Sequence, residues 1–381
     1  NNADITISAL CDQSVATSGS HLYGLSFGGI VGAAELLEGG SATSISHVRN
    51  NGDILINNTE PLGRGYHWMG GVFGQTINDN ALSAFHHCYN YGSIKTIKDS
   101  AVSAIRLGGV FGDLATNAID TIDFVENHGE LYVHGTLAAN TPQVYGIGYT
   151  AYVINGVNDC LNTGDITVQT NANTNMYVCG GILGITASGE TKGVCHRMKN
   201  EGDITVLPYN ESSTISGSLT VVGLTNNMNC GLEGTEGAPS GNSGNITVTS
   251  TSTGSVSVAG VSVTLGEGSF SFKNVENSGN ITLNTSTTNA KTDLYVSGVS
   301  TTNKTGTSFA NVKNSGNISV AGSIVRYVVV NGIGNEMRCT MNNVSNSGNV
   351  EVSATSGNNT LVYGVARLVY AKATDVHNTG N

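Results

Sequence analysis

The tetrapeptide Asn-Ser-Gly-Asn occurs four times in this chain, at residues 242–245, 277–280, 314–317 and 346–349. In the looser form Asn-x-Gly-x-apolar it marks the whole chain, and we call its first residue the marker asparagine. The marker asparagines are Asn50, Asn90, Asn127, Asn162, Asn200, Asn242, Asn277, Asn314 and Asn346, and a further copy begins at Asn378. From Asn1 to Asn378, ten periods cover 377 residues, or about 38 residues each. Periods of this size are typical of solenoids, in which each unit buries its core only against its neighbours.

A second glycine lies in every period, inside an apolar-x-Gly-apolar step. We assign these second glycines to Gly29, Gly71, Gly109, Gly146, Gly181, Gly223, Gly260, Gly298, Gly332 and Gly364. Apolar residues recur two before and one after this glycine, and two before, four after and six after the marker asparagine. Of these 50 positions 48 are apolar, and the exceptions are Ser240 and Thr96. Because apolar residues two apart share one face of a β-strand, the pattern indicates about three short strands per period.

These strands predict an all-β fold, a single parallel β-helix (β-solenoid) of about ten coils of roughly 38 residues. We expect it to be right-handed, because parallel crossovers almost always are. Residues 1–381 should form one continuous repeat domain and, since both ends fall in the same phase of the repeat, a segment of a longer chain. The glycine of Asn-x-Gly is expected to permit a left-handed turn. The marker asparagines are expected to point inward and to form a structural turn ladder along the axis.

Composition limits the classes of function. Only 11% of the residues are charged and the net charge is −11, which excludes a partner such as nucleic acid. No run of 18 apolar residues occurs, so the sequence predicts no membrane span. The seven cysteines contain no C-x-x-C pair, which argues against a disulfide framework and a zinc ribbon. Cys88 and Cys160 replace core valines two coils apart, about 9.6 Å, so we expect them to be buried and reduced.

The glycine steps read "GGIVG" at 28–32, "GGVFG" at 70–74 and 108–112, and "GGILG" at 180–184. They are followed by steps such as "CYNYGSI" at 88–94 and "CLNTGDI" at 160–166. This pair resembles the GLUG-repeat family of bacterial surface proteins. The resemblance covers essentially the whole chain and is clearest through residue 206; later the double glycine decays to Tyr-Gly, Ala-Gly or Ser-Gly. It implies a secreted or cell-surface protein, often an adhesin, and it supplies neither a ligand nor catalytic residues.

Trp68 is the only tryptophan of the chain, in the stretch "GRGYHWMGG" at 63–71. It is predicted to point outward, on the face opposite Met69. Together with Tyr66 it is a candidate ligand contact, because outward aromatic rings stack on sugar rings. Packing beneath the long loop of the second coil is the alternative.

Two other rows of residues raise the question of a metal ion. His47 and His87 occupy the same repeat position and are expected to stack about 5 Å apart, as a two-histidine metal site or as an ordinary turn ladder. Glu130, Asp165 and Asp203 share another position, where a row of carboxylates suits either a calcium ion or a turn. Later repeats carry asparagine at that position, which favours the turn. We therefore predict no metal, no cofactor and no catalytic residue.

The sequence predicts an extracellular or cell-surface structural and adhesive repeat protein, and not an enzyme. A stiff scaffold would carry recognition on loops, with a host or neighbouring-cell surface glycan or protein as partner, and it could self-assemble through the solenoid ends. One alternative is a β-helix polysaccharide lyase or hydrolase, which needs clustered carboxylates or a basic residue opposite a carboxylate. A viral tail-spike-like glycan-binding protein is the other alternative.

Overall fold

The computed structural model describes most of the chain, and within the described residues it contains β-strands and no helix. The described residues are 1–7, 26–34, 43–57, 67–76, 82–97, 105–114, 119–137, 142–150, 153, 156–172, 174–183, 185–186, 194–210, 215, 217–265, 270–286, 292–303, 305–324 and 326–381.

The strands form five sheets, which we name by their place in the repeat. The post-marker sheet follows each Asn-x-Gly step and contains Ile5–Ile7, Ile54–Asn57, Ile94–Ile97, Leu131–Leu137, Ile166–Ala172, Ile204–Pro208, Ile246–Ser250, Ile281–Ser286, Ile318–Ile324, Val350–Val352 and Thr355–Ser356. The glycine sheet leads into each second glycine and contains Ser26–Gly28, His67–Gly70, Ile105–Gly108, Gln143–Tyr145, Met176–Cys179, Leu219–Val222, Val256–Ala259, Leu294–Ser297, Tyr327–Asn331 and Asn359–Tyr363.

The other three sheets lie between a second glycine and the next marker asparagine. Two corner sheets follow the second glycine: one contains Val31–Ala34, Phe73–Thr76, Phe111–Leu114, Gly148–Thr150 and Ile182–Leu183, and the other contains Ile185–Thr186, Thr225–Asn229, Ser262–Leu265, Ser300–Asn303, Gly334–Met337 and Ala366–Val369. The asparagine sheet leads to the marker asparagines and contains Thr43–Asn50, Leu82–Asn90, Thr121–Asn127, Val157–Asn158, Leu161–Asn162, Val194–His196, Lys199–Asn200, Gly231–Glu233, Ser240–Asn242, Ser271–Asn277, Ser308–Asn314, Thr340–Asn346 and Ala373–Asn378.

Each strand pairs in parallel with the equivalent strand of the neighbouring repeat. In the post-marker sheet, for example, Ile166 pairs with Ile204 and Ile204 with Ile246. Because equivalent residues are in register, the inward apolar positions of successive repeats lie one above the other. The predicted all-β parallel β-solenoid is therefore confirmed, whereas its right-handedness stays a prediction.

The expectation of about ten coils of roughly 38 residues is overstated, and the predicted three strands per repeat are too few. The second glycine lies at a corner, and the chain continues from it into a separate corner strand, so that a repeat has four faces. The corner strands belong to a five-stranded sheet and a six-stranded sheet. The longer of these sheets stacks over about six turns.

The interior contains two long apolar clusters. One includes the inward residues of the asparagine and corner sheets, such as Phe85 and Val344, and the other those of the post-marker and glycine sheets. The marker asparagine and the second glycine meet across the coil: a Cβ added at Gly71 would lie 2.2 Å from Cγ of Asn90. The second position is glycine because the asparagine amide lies directly against its backbone.

One repeat differs from the sequence alignment by a single residue. In the fifth repeat the second glycine is Gly180 and not Gly181, because Val178 and not Cys179 pairs with Val144. The alignment on Gly181 placed an apolar residue, Ile182, directly after the glycine, whereas Gly180 is followed by a second glycine.

Left-handed backbone occurs three residues before the marker asparagine and not at its glycine, so the predicted reason for that glycine is wrong. Residues at this earlier position have φ of 52–57°: His47, His87, Phe124, Asp159, Arg197, Asn274, Asn311, Asn343 and Asp375. The marker glycine is required by close approach of successive turns: a Cβ added at Gly279 would lie 1.9 Å from the carbonyl oxygen of Gly244.

Cys88 and Cys160 are buried free thiols, as the sequence predicted. Desolvation raises the pKa of the Cys88 thiol to about 12, and it raises the pKa of Cys160 well above its usual value. Since the thiolate is the reactive form, we expect both to be labelled by a maleimide only after unfolding. Peptide mass spectrometry of protein labelled at pH 8, with and without denaturant, measures this, and rapid labelling of either thiol in the native protein would contradict it.

Candidate functional site

The marker asparagines form a continuous hydrogen-bonded ladder inside the solenoid. From Asn50 to Asn346, each Nδ2 donates to the glycine carbonyl two residues on, at 2.7–2.9 Å, and to Oδ1 of the next marker asparagine, at 2.7–2.9 Å. Asn1 enters the ladder at one end through a 3.2 Å bond to Asn50, and Asn378 accepts from Asn346 at the other. The nine marker side chains are at most 1% exposed.

The backbone next to this ladder is bonded in the opposite direction. The N–H that follows a marker asparagine donates to the carbonyl of the preceding marker asparagine, as from Ser278 to Asn242 at 2.8 Å. Each interior marker asparagine is thereby joined to both neighbouring repeats. Because both amide atoms are used within the fold, these residues hold the turns together and offer no group to a ligand.

A second ladder explains the aspartates in the row of carboxylates three residues after the marker, whereas the Glu130 carboxylate pairs with Lys95 at 2.9 Å. Oδ1 of Asp165 accepts the N–H of Asp203 at 2.9 Å, and Oδ1 of Asp203 accepts the N–H of Asn245 at 2.7 Å. Asparagine performs the same function in later repeats, as between Asn245 and Asn280 at 3.1 Å. Aspartate and asparagine can replace each other at this position, because either supplies the oxygen that accepts the next backbone N–H.

The histidine row is a stack of rings at the left-handed position. The rings of His47 and His87 are stacked with centroids 4.7 Å apart, and that of Phe124 follows at 4.8 Å from His87. In later repeats Asn343 donates to Asn311 at 2.8 Å in the same row. Among the described residues, no group of three or more histidine, cysteine, aspartate or glutamate side chains is placed to hold a metal ion.

Trp68 lies on the outer face of the glycine sheet and is half-buried. Its neighbour Met69 points into the core and is 1% exposed. The indole Nε1–H donates to Oδ2 of Asp113, on the adjoining corner sheet, at 3.0 Å. This bond fixes the orientation of the indole ring. Tyr66, the other predicted contact, lies outside the described residues.

Arg106 lies beside Trp68 in register and completes a cluster around Asp113. Its guanidinium forms an ion pair with Oδ2 of Asp113, and its Cζ lies 4.6 Å from the centroid of the Tyr149 ring. Burial disfavours the charge of Arg106, but the adjacent Asp113 carboxylate together with Tyr145 and Tyr149 outweighs burial, so the pKa of the guanidinium is raised. Since Asp113 is only 4% exposed, this ion pair is a fixed part of the surface.

Tyr145 and Gln143 extend the cluster into the next repeat. Gln143 pairs with Arg106 in register, and its side-chain oxygen accepts a hydrogen bond from the Tyr145 hydroxyl. Desolvation raises the pKa of the fully buried Tyr145 well above its ordinary value, so this hydroxyl remains protonated. Its ring lies 6.1 Å from that of Tyr149.

The cluster of Trp68, Arg106, Asp113, Gln143 and Tyr149, which we call the tryptophan face, combines two aromatic rings with a guanidinium and an amide. Aromatic rings provide flat apolar contact, and a few fixed polar groups provide direction, which is how sites for small polar ligands are built. The Asp113 carboxylate is engaged by Trp68 and Arg106, so its role is to position them.

No single sequence motif indicates which residues contact Trp68. Asp113 is 45 residues away in sequence. The signal was nevertheless in the repeat alignment, because Trp68, Arg106 and Gln143 each stand three residues before a second glycine. Stacking therefore places these three outward side chains in one row.

Comparison with protein-family models, with curated proteins and with solved structures gave no match. The described residues contain no helix that is long and apolar enough to cross a membrane.

Proposed function

We propose that this chain is a secreted or cell-surface structural and adhesive scaffold, as the GLUG-repeat resemblance implies. We propose further that the tryptophan face contacts a glycan on a host or neighbouring cell. The observation that carries the proposal is the outward Trp68 ring, held through its N–H by a buried carboxylate beside Arg106. A fixed aromatic ring loses little conformational freedom on binding, which favours its use as a contact.

The remainder of the repeat supports a scaffold function. The buried asparagine ladder connects every described repeat to the next, so the chain has the length and stiffness that an adhesive protein needs. Recognition by loops and self-assembly through the solenoid ends stay predictions.

Replacing Trp68 by alanine is expected to weaken glycan binding by at least about tenfold, because the ring supplies the apolar contact area. Binding to a panel of immobilised glycans, measured by biolayer interferometry, tests this. The matched control is Tyr132→Ala, which removes a half-buried outward ring from the post-marker sheet. No binding by the wild type, or equal binding by both variants, would show the glycan proposal to be wrong. Release of soluble sugar from the same glycans would instead support the lyase or hydrolase alternative.

A further inference from the structure

A cavity of about 350 Å³ lies on the outer surface in the second half of the chain. It occupies the angle between the glycine sheet and the six-stranded corner sheet. Its walls include Ser257 and Tyr295 from the glycine sheet and Val263, Thr301, Asn335 and Arg367 from the corner sheet. Its volume is within the range of small-ligand pockets, about 300–1,000 Å³.

The residues at the base of this angle change from apolar to polar toward the C-terminal repeats. Ala259, Ser297 and Asn331 are paired in that order in the glycine sheet. The cluster that contains Ala259 packs against Val263, which lines the cavity. The register therefore places Ser297 and Asn331 below the cavity, where earlier repeats carry the apolar Val222 and Ala259.

One wall of this cavity carries a buried polar atom without a hydrogen-bond partner in the chain. It is Oδ1 of Asn335, a residue that lines the cavity and is 8% exposed. Ser297 and Asn331, at the base of the angle, also have unpaired side-chain atoms, but they are 0% exposed and do not line the cavity. Native proteins seldom leave buried polar atoms unpaired, since doing so is destabilising. The unpaired oxygen of Asn335 in the cavity wall therefore indicates a partner from outside the chain.

The charged groups at the rim are already paired with one another. Arg326 lies 3.2 Å from Asp293, whose Oδ2 also accepts the Tyr295 hydroxyl at 3.3 Å. Arg367 bonds Glu336 at 2.8 Å. Glu336 also pairs with Arg338 at 3.4 Å, so every one of these charged groups already has an ion-pair partner, and the remaining polar groups of the cavity suit a neutral ligand. A flat tyrosine ring beside amide, hydroxyl and guanidinium groups matches a neutral ligand rich in hydroxyl groups.

We propose that this cavity binds one or more sugar rings of a neutral oligosaccharide, with Tyr295 against the apolar face of the ring and Asn335 bonded to its hydroxyls. The site shares its ligand class with the proposed function, but it is built from other residues. It is separated from Trp68 by several repeats along the glycine sheet.

Asn335→Val distinguishes a ligand group from a residue that only supports the fold. Valine matches Val263, which the register places two repeats earlier in the same row of the corner sheet. The substitution removes an unpaired buried amide oxygen, so we expect an unchanged or higher melting temperature together with a loss of sugar binding of at least about tenfold. Tyr295→Ala should produce a similar loss of binding. Tyr132→Ala, on another face, should bind as the wild type does.

The probes are neutral hexasaccharides of defined composition, namely a β-glucan, a chitin, a mannan and a xylan, with an oligogalacturonate as the acidic comparison. Binding is measured by isothermal titration calorimetry and by chemical-shift changes. Loss of binding to a neutral probe in both Asn335→Val and Tyr295→Ala supports the proposal. It is overturned if those variants bind like the wild type, if no neutral probe binds, or if only the oligogalacturonate binds.

Trp68→Ala separates this inference from the proposed function. If Trp68→Ala abolishes binding and Tyr295→Ala does not, the tryptophan face is the glycan site and the cavity is not. If only the cavity variants lose binding, the cavity is the glycan site and the tryptophan face does not contact the glycan.

Discussion

Asn277→Asp is expected to destabilise the solenoid by about 4 kcal/mol, whereas Asn280→Asp should change its stability by less than about 1 kcal/mol. Asn277 is 0% exposed, and its Nδ2 donates to Gly279 and Asn314 at 2.9 and 2.8 Å. An aspartate has no such donor and would hold a negative charge against two oxygen acceptors. Chemical denaturation followed by far-UV circular dichroism measures both variants.

Asn280 is the matched control because it undergoes the same chemical change three residues away. Its Oδ1 accepts the N–H of Asn317 at 2.9 Å, and a carboxylate oxygen accepts such a bond equally well. Its Nδ2 also donates to Oδ1 of Asn245 at 3.1 Å, but Asn280 is exposed, so water can replace this bond at little cost. Aspartate already occupies this position in earlier repeats, where Asp203 accepts from Asn245. Equal stability of the two variants would show that the buried ladder does not depend on amide donors.

The stability of the Asn277→Asp variant should also depend on pH. Burial and the neighbouring oxygen acceptors raise the pKa of the introduced carboxyl in the folded state above its unfolded value. The folded state therefore binds the proton more tightly, and stability falls as pH rises through the folded-state pKa. We expect the difference from the wild type to be smallest at acid pH and largest at neutral pH. A deficit that grows as the pH is lowered would contradict this mechanism.

The inward half of the structure was largely predictable from the sequence. Apolar residues at two-residue spacing define one strand face, and their recurrence near 38 residues defines the stacking. Pairing of Val275 with Val312 and of Val312 with Val344 follows directly from that pattern. Inward positions must be apolar in every repeat. The same apolar pattern therefore occurs ten times, which makes the strand pairing easy to predict.

The outward half was much less predictable. Trp68, Arg106 and Gln143 share a row but not a residue type, so no single repeat shows that they form one surface. The corner strands were missed because a tight corner at a glycine leaves the alternation of apolar residues almost unchanged. The cavity at Tyr295 depends on Asn335, whose equivalent two repeats earlier is the apolar Val263, and a buried polar residue in an outer row has no periodic signature.

Gly279→Ala is expected to destabilise the protein by at least about 4 kcal/mol, although a Gly→Ala change at an unstrained site typically stabilises by about 0.4–1 kcal/mol. A Cβ at Gly279 would lie 1.9 Å from the carbonyl oxygen and 2.6 Å from the carbonyl carbon of Gly244. Both are backbone atoms, so relief requires separation of two turns and loss of the adjacent Asn242–Asn277 bond.

Gly237→Ala is the control for Gly279→Ala, because a Cβ added at Gly237 meets nothing within 4 Å. We expect Gly237→Ala to leave the denaturation midpoint unchanged or slightly raised. Limited proteolysis adds a local measurement: Gly279→Ala should open new cleavage near residues 244–279, because neighbouring repeats stabilise each other only through their interface. If the two variants unfold alike and are cleaved alike, close approach of the turns does not explain the glycine at the marker position. The requirement for glycine would then have to come from its effect on the unfolded chain.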